Sequence, residues 1–293
     1  MITTEHLKAE ATNMPKIEIE PGVELFYEEL GTGDRYVICT QVGHSRYTPE
    51  RAMATRGFHV FLLTNRGFGR STHITEDYGD YWYDRFADDV ILFADKMGID
   101  KFIYSGSSHG AGAGWHVALR HPERLICFFA IVPGPHNLDE GKGSMRSQAL
   151  QGKLVNHCFR YPTEDPRLNE RRRLEDEAAE AEKALPDYAE IFDAPETRAI
   201  DYGRPLRALQ TEKKVQEALK TIKVPVLIMG GMEDTISRPD LMIRSAKCLP
   251  CCKLIIHSCF GHSLDICEEL ADDALRFYEN LITTGYYYSE VKN

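Results

Sequence analysis

The sequence predicts an α/β fold: a mostly parallel twisted sheet flanked by helices, with a helical segment inserted into it. Three observations predict this. Short β-branched and aromatic runs recur, and most from the third onward are apolar on both faces. Segments with apolar residues at helical spacing lie between them, and one region, from about Gly134 to Ile222, offers no convincing strand while its charge density climbs. Strands apolar on both faces suit a parallel sheet covered by helices on either side. Their alternation with helices is the pattern of the α/β class.

In chain order, the strand runs are VELFYEEL from Val23, RYVICTQ from Arg35, FHVFLLT from Phe58, FIYSG from Phe102, ICFFAIV from Ile126, VPVLIMG from Val224 and CKLIIH from Cys252. Phe86, Val90, Phe93 and Met97 form one stripe of a helix, and Gly98 supplies its stop. His109 to Arg120 can continue as a helix directly after the fourth run. In the inserted region, Pro162 to Leu185 places Leu174, Ala178, Ala181 and Leu185 on a narrow apolar stripe among charges, as in a helix lying over a surface or one simply solvated. The helical rhythm returns in Cys267, Leu270, Ala274, Tyr278 and Leu281. Residues 1–133 and 223–293 are therefore expected to form the core, and 134–222 a helical cap.

At 293 residues with 43% hydrophobic content, the chain can bury a substantial core. A net charge of −10 argues against nucleic acid or an anionic membrane as the main partner, because phosphates are held by clustered Lys and Arg. No apolar run is long enough to span a bilayer. The opening MITTEHLKAEATN lacks a basic segment followed by an apolar one, so the 8 cysteines are expected to be reduced and the protein cytoplasmic. Cys248, Cys251 and Cys252 have no second pair at zinc-site spacing and read as packing residues. No metal or cofactor is called for.

The chemistry concentrates in YSGSSHGAGAGW, Tyr104 to Trp115. Gly106-Ser107-Ser108-His109-Gly110 is a G-x-S-x-G pattern at a strand-to-helix junction. Such a turn holds its central serine, Ser108, in a strained conformation above the sheet edge, and its two glycines let strand and helix approach closely. The bland alternative is a small-residue turn that packs a helix on a strand. Ser105 and Ser107 read as turn or strand-end residues, and Gly112 and Gly114 as aids to close helix packing. A serine hydroxyl needs a base, which in turn needs an acid, in the chain order Ser, Asp, His. Asp234 follows the strand that ends at Gly230-Gly231, and His262 follows Gly261 after the last strand.

Taken together, these motifs resemble the α/β-hydrolase fold superfamily, in the branch with a helical cap after the sixth core strand; the resemblance runs from roughly Ile17 to Leu281. It implies Ser108 as nucleophile, Asp234 as the acid of a G-x-x-D pattern and His262 as base. Glu233 and Asp139 are the competing acids. Backbone N–H groups of His44 and His109 would form the oxyanion hole, although Gln41-Val42-Gly43-His44 lacks the family's histidine before the glycine. Thr64 to Ser71 matches the family's D-x-x-G-x-G-x-S turn except at Asn65, read as keeping the turn's bonds.

The resemblance thus implies a serine hydrolase acting on a small-molecule carboxylic ester or lactone through an acyl-enzyme. Amide or carbon–carbon bond hydrolysis, perhydrolysis and low-turnover ligand binding are the alternatives. Serine at the elbow, in place of aspartate, argues against epoxide-hydrolase and dehalogenase chemistry. Gly43, His136 and Trp82 are candidate pocket residues, Trp82 reading more readily as the entry to a core helix, while His116 and His121 read as packing or capping residues. The charged inserted helix can cover the site or meet the second subunit of a homodimer.

Overall fold

The computed structural model describes residues 15–42, 49–143, 164–184, 204–258, 260–262, 264 and 269–284. Eight strands form one sheet: β1 (Lys16–Glu20), β2 (Val23–Leu30), β3 (Tyr36–Gln41), β4 (His59–Thr64), β5 (Phe102–Ser107), β6 (Leu125–Ile131), β7 (Val226–Gly231) and β8 (Cys252–His257). Their spatial order is β1-β2-β4-β3-β5-β6-β7-β8. β2 runs antiparallel to both β1 and β4, and every pairing from β4 onward is parallel. β1 is the strand the run analysis does not contain. Its sequence KIEIE alternates charged and apolar residues at the sheet edge.

Alternation along each strand sends neighbouring side chains to opposite faces. In β3, Ile38 joins one buried cluster, while Val37 and Cys39 join the other. The first cluster is closed by α2 (Trp82–Lys96), α3 (His109–Arg120), α5 (Glu212–Leu219) and α6 (Pro239–Cys248). The second is closed by α1 (Pro49–Ala54) and α7 (Glu269–Thr284), through Met53, Leu270, Ala274 and Phe277. Helices therefore cover both faces, and this explains why β6 and β7 are apolar throughout and β5 as far as Tyr104. Phe86, Val90 and Phe93 are fully buried on α2, as their spacing predicts, and Gly98 ends that helix with φ 69°.

The inserted region contributes α4, Pro166–Lys183, within the expected 162–185. Leu174 packs against the second cluster, whereas Ala181, expected on the same stripe, is exposed. The Ala178 side chain and Leu185 lie outside what the structure describes. Arg173 pairs with Glu170 and Glu177 along the exposed face. Among the described residues, no helix is long and apolar enough to cross a membrane.

Candidate active site

The junction of β5 and α3 presents Ser108 at φ 50° and ψ −106°, a conformation that L-residues rarely adopt. Its N–H donates to Ile131 O (3.0 Å) and its C=O accepts from Gly112 N (3.0 Å), so both ends of the strained residue are pinned. The flanking glycines are required by backbone contact. A Cβ on Gly106 would lie 2.6 Å from Ala111 N, and one on Gly110 would collide with the carbonyl oxygen of Thr40. Tyr104, fully buried, braces the turn from beneath: its hydroxyl donates to Gly110 O (2.8 Å) and meets Thr40 Oγ1 (2.7 Å). Gly112 and Gly114 do serve close packing, since Cβ atoms there would strike the Tyr83 ring and the Phe128 ring.

Ser108 Oγ lies 2.8 Å from His262 Nε2, and His262 Nδ1 lies 2.9 Å from Asp234 Oδ2. Asp234 is fully buried, and its Oδ1 accepts from the N–H groups of Ile236 (2.7 Å) and Ser237 (2.9 Å). With both oxygens engaged, the carboxylate has one orientation, and it faces the imidazole. The competing acids lie elsewhere: Glu233 faces Arg172 of α4 at 3.9 Å, and Asp139 accepts from Glu212 N at 3.2 Å.

The loops carrying Asp234 and His262 are joined by their backbones. Glu233 N donates to Phe260 O (2.9 Å) and Met232 N to His257 O (2.9 Å). Gly231 makes this approach feasible, because a Cβ there would lie 2.6 Å from the Phe260 carbonyl carbon and closer still to the oxygens of Phe260 and Gly261. Gly231 is visible in the sequence as part of the G-x-x-D pattern. Its role as the seat of the base loop is not.

A cleft of ≈ 230 Å³ opens at Ser108. Tyr83, His109 and His136 line it, and Val132, Pro133 and Pro205 supply apolar wall. Ser237, also at the cleft, donates from Oγ to Val132 O (2.5 Å) and accepts from Gly134 N (3.1 Å). It thereby holds Val132, whose φ of 39° is a strained value for a β-branched residue. Trp82, read either as a pocket residue or as the entry to a core helix, is buried in the core. Its indole N–H donates to Asp77 Oδ1 (3.1 Å), and the next residue, Tyr83, forms the wall. His116 stacks on Tyr83 and accepts from Leu206 N (2.9 Å), while His121 caps α3. Gly43 and His44 lie outside the described residues. Among the described residues, no cluster of His, Cys, Asp and Glu has the make-up of a metal site.

A sequence model of the alpha/beta hydrolase fold matches residues 37–271. The chain belongs to this family. Over 83% of its length it is 26% identical to a Caulobacter sp. (strain K31) protein named for carbamate hydrolysis, RutD, of which it covers 91%. It also matches the bifunctional epoxide hydrolase 2 of Rattus norvegicus, at 27% identity over 112 residues; that match takes in 37% of this chain and 20% of the relative, so the chain spans about a fifth of the epoxide hydrolase's length. Among solved structures, an N-acyl homoserine lactone degrading enzyme superimposes with a TM-score of 0.64 at 22% identity, covering 93% of this chain and 100% of its own. That likeness is one of fold.

Against the pattern of the alpha/beta hydrolase family, the departure at Asn65 has a structural consequence that the turn alone does not suggest. The backbone of Asn65 keeps the turn, accepting from Phe68 N at 3.2 Å, and Ser71 Oγ closes it on Thr64 O at 2.7 Å. The Asn65 side chain does not join those bonds as expected. Fully buried, it turns its amide Nδ2 to His109 Nδ1 at 3.4 Å, across 44 positions of sequence.

Proposed function

We propose that the chain is a serine hydrolase that cleaves a small-molecule carboxylic ester or lactone through an acyl-enzyme on Ser108. The observation carrying this reading is the unbroken hydrogen-bond chain from Ser108 Oγ through both nitrogens of His262 to Asp234, at 2.8 and 2.9 Å. His262 Nε2 accepts the hydroxyl proton as Oγ attacks the carbonyl carbon, and Asp234 holds Nδ1–H and stabilises the imidazolium. The N–H of His109, first residue of α3, is the donor this proposal assigns to the developing oxyanion. The second donor of this proposal is the His44 amide. Collapse of the tetrahedral intermediate expels the alcohol with the proton from Nε2, and water then repeats the sequence on the acyl-enzyme.

Serine at the elbow supports acyl transfer over epoxide opening, which in this fold proceeds through an ester on a carboxylate nucleophile. The segment 134–222 is read as the cap that bounds the substrate. Intact mass after incubation with a fluorophosphonate, on wild type beside Ser108→Ala, tests the reading. A single adduct on wild type that the variant lacks is expected. A folded wild type that gains no adduct refutes the proposal.

A further inference from the structure

Two consecutive residues of α3 hold the cleft wall from behind. The Trp115 indole N–H donates to Pro133 O (2.9 Å), and His116 Nε2 accepts from Leu206 N (2.9 Å). Pro133 and Pro205 both line the cleft, the first just before the segment 134–222 and the second in its returning part. His116 is 5% exposed and stacks on Tyr83, a third wall residue, with ring centroids 5.7 Å apart. A backbone N–H can only donate, so Nε2 carries no proton and the neutral ring is protonated on Nδ1. That nitrogen faces Asp84 Oδ1 at 3.4 Å, and Asp84 is itself held by Arg120 at 3.0 Å.

The bond to Leu206 reaches the cleft through one peptide plane. Leu206 N belongs to the planar unit that also contains the Pro205 Cα and carbonyl. The proline ring adds a fixed φ of about −65°, so holding one N–H orients Pro205 against the cleft. Leu206 has φ 61° and ψ 19°, a conformation that persists only where the surroundings impose it. Its side chain is packed in the first cluster, and His116 holds its backbone.

We propose that His116 is a positioning residue that sets the acyl-chain limit of the cleft, selecting esters of short acyl groups. This rests on the acyl-enzyme reading above. A short acyl group fits beside Pro205 as it stands. A longer one must displace Pro205, which turns the Pro205–Leu206 peptide away from the imidazole and leaves a buried donor and a buried acceptor unpaired. The cost falls on long chains alone, so the bond discriminates against them.

The test compares kcat/KM for p-nitrophenyl butanoate and p-nitrophenyl octanoate. The leaving group is constant, so the contributions of His262 and the oxyanion donors largely cancel in the ratio. Wild type is expected to favour butanoate by about tenfold or more, the cost of a buried bond left unmade. His116→Leu has no acceptor to lose and is expected to bring the ratio towards one, with urea unfolding as the check that it folds. His116→Gln, whose amide can accept from Leu206 N and donate to Asp84, is expected to keep most of the preference. Pro205→Gly keeps the bond and removes the ring; it should also bring the ratio towards one, and it decides the matter if His116→Leu fails to fold. A wild-type ratio near one, with Ser108 still labelled by fluorophosphonate, overturns the chain-length proposal and leaves the acyl-enzyme reading standing. A preference that survives in folded His116→Leu or in Pro205→Gly, or that His116→Gln loses as fully as His116→Leu, overturns the assignment to this bond. Failure of the labelling itself removes both.

Discussion

Replacing Gly231 by alanine tests how the candidate site is held together. The new Cβ would lie 2.6 Å from the Phe260 carbonyl carbon, where ordinary contact begins at 3.4 Å, and its nearest atoms are backbone, which no rotamer change can move. The base loop must therefore retreat from the end of β7 by about 1 Å. His262 follows Gly261 directly and shifts with it. Its bonds of 2.9 Å to Asp234 and 2.8 Å to Ser108 would then stretch beyond useful hydrogen-bonding range. Asp234 cannot follow, because the N–H groups of Ile236 and Ser237 hold its other oxygen. A misplacement of about 1 Å costs on the order of a hundredfold in rate. The assay is the second-order rate of fluorophosphonate labelling, read by intact mass, beside urea unfolding. Labelling is expected to slow roughly a hundredfold, with about 1–3 kcal/mol lost in stability. Gly22→Ala is the control: φ is 78° there and nothing lies within 4 Å of the new Cβ, so backbone strain without collision should leave labelling unchanged. A Gly231→Ala protein that labels within about threefold of wild type would refute the argument that this contact sets the base.

Asp234→Asn is expected to lower kcat by roughly two to four orders of magnitude, because the amide cannot hold His262 in the tautomer that accepts the serine proton. Glu233→Gln should change it by no more than a few-fold, and the reverse ranking would overturn the acid assignment. Asn65→Asp puts a carboxylate, which can only accept, against His109 Nδ1, so that nitrogen should carry a proton in the variant. Nitrogen-15 NMR of the imidazole reads the change directly, and an Nδ1 signal unchanged from wild type would sink the contact. Burial pushes the Cys252 thiol up to about 12 and also raises Cys39 and Cys127. All three are neutral thiols at pH 8, so iodoacetamide followed by peptide mapping should modify them only after unfolding; modification of the native protein would contradict their packing.

The strands of the interior were legible because both of their faces are buried. β4, β5 and β7 read as continuous apolar runs, and their parallel pairing demands that composition. β1 was not legible for the complementary reason. KIEIE is short, alternates with charge and has a single strand partner, so its pairing with β2 comes from register more than from hydropathy. Ser108, Asp234 and His262 stand out in the sequence because each follows a recognisable strand end at fixed local spacing. Trp82 and Tyr83 show where that logic stops. Both belong to one aromatic run, and only the entry angle of α2, with the Trp82 indole bonded to Asp77, decides that Trp82 faces the core and Tyr83 the cleft. The Asn65 to His109 contact joins two loops far apart in sequence, and neither motif predicts the other.

The two kinds of position point to a division of labour. Where the three loops of the candidate site meet the sheet or one another, the contacts are backbone on backbone: Gly110 on Thr40, Gly106 on Ala111, Gly231 on Phe260 and Gly261. A hydrogen in place of a side chain is the only group that fits there, so these positions fix distances and tolerate nothing larger. At the cleft wall, the variable element is the side chain: His109, His136 and Tyr83 stand on backbone that the glycines and Ser237 have already placed. Changes at the wall should therefore redirect which substrate reacts while Ser108 stays reactive to a small fluorophosphonate, whereas changes at the glycines should lower reactivity towards every substrate in proportion. The ratio of the two effects, measured on one set of variants, separates the part of the site that positions the reacting atoms from the part that chooses what reaches them.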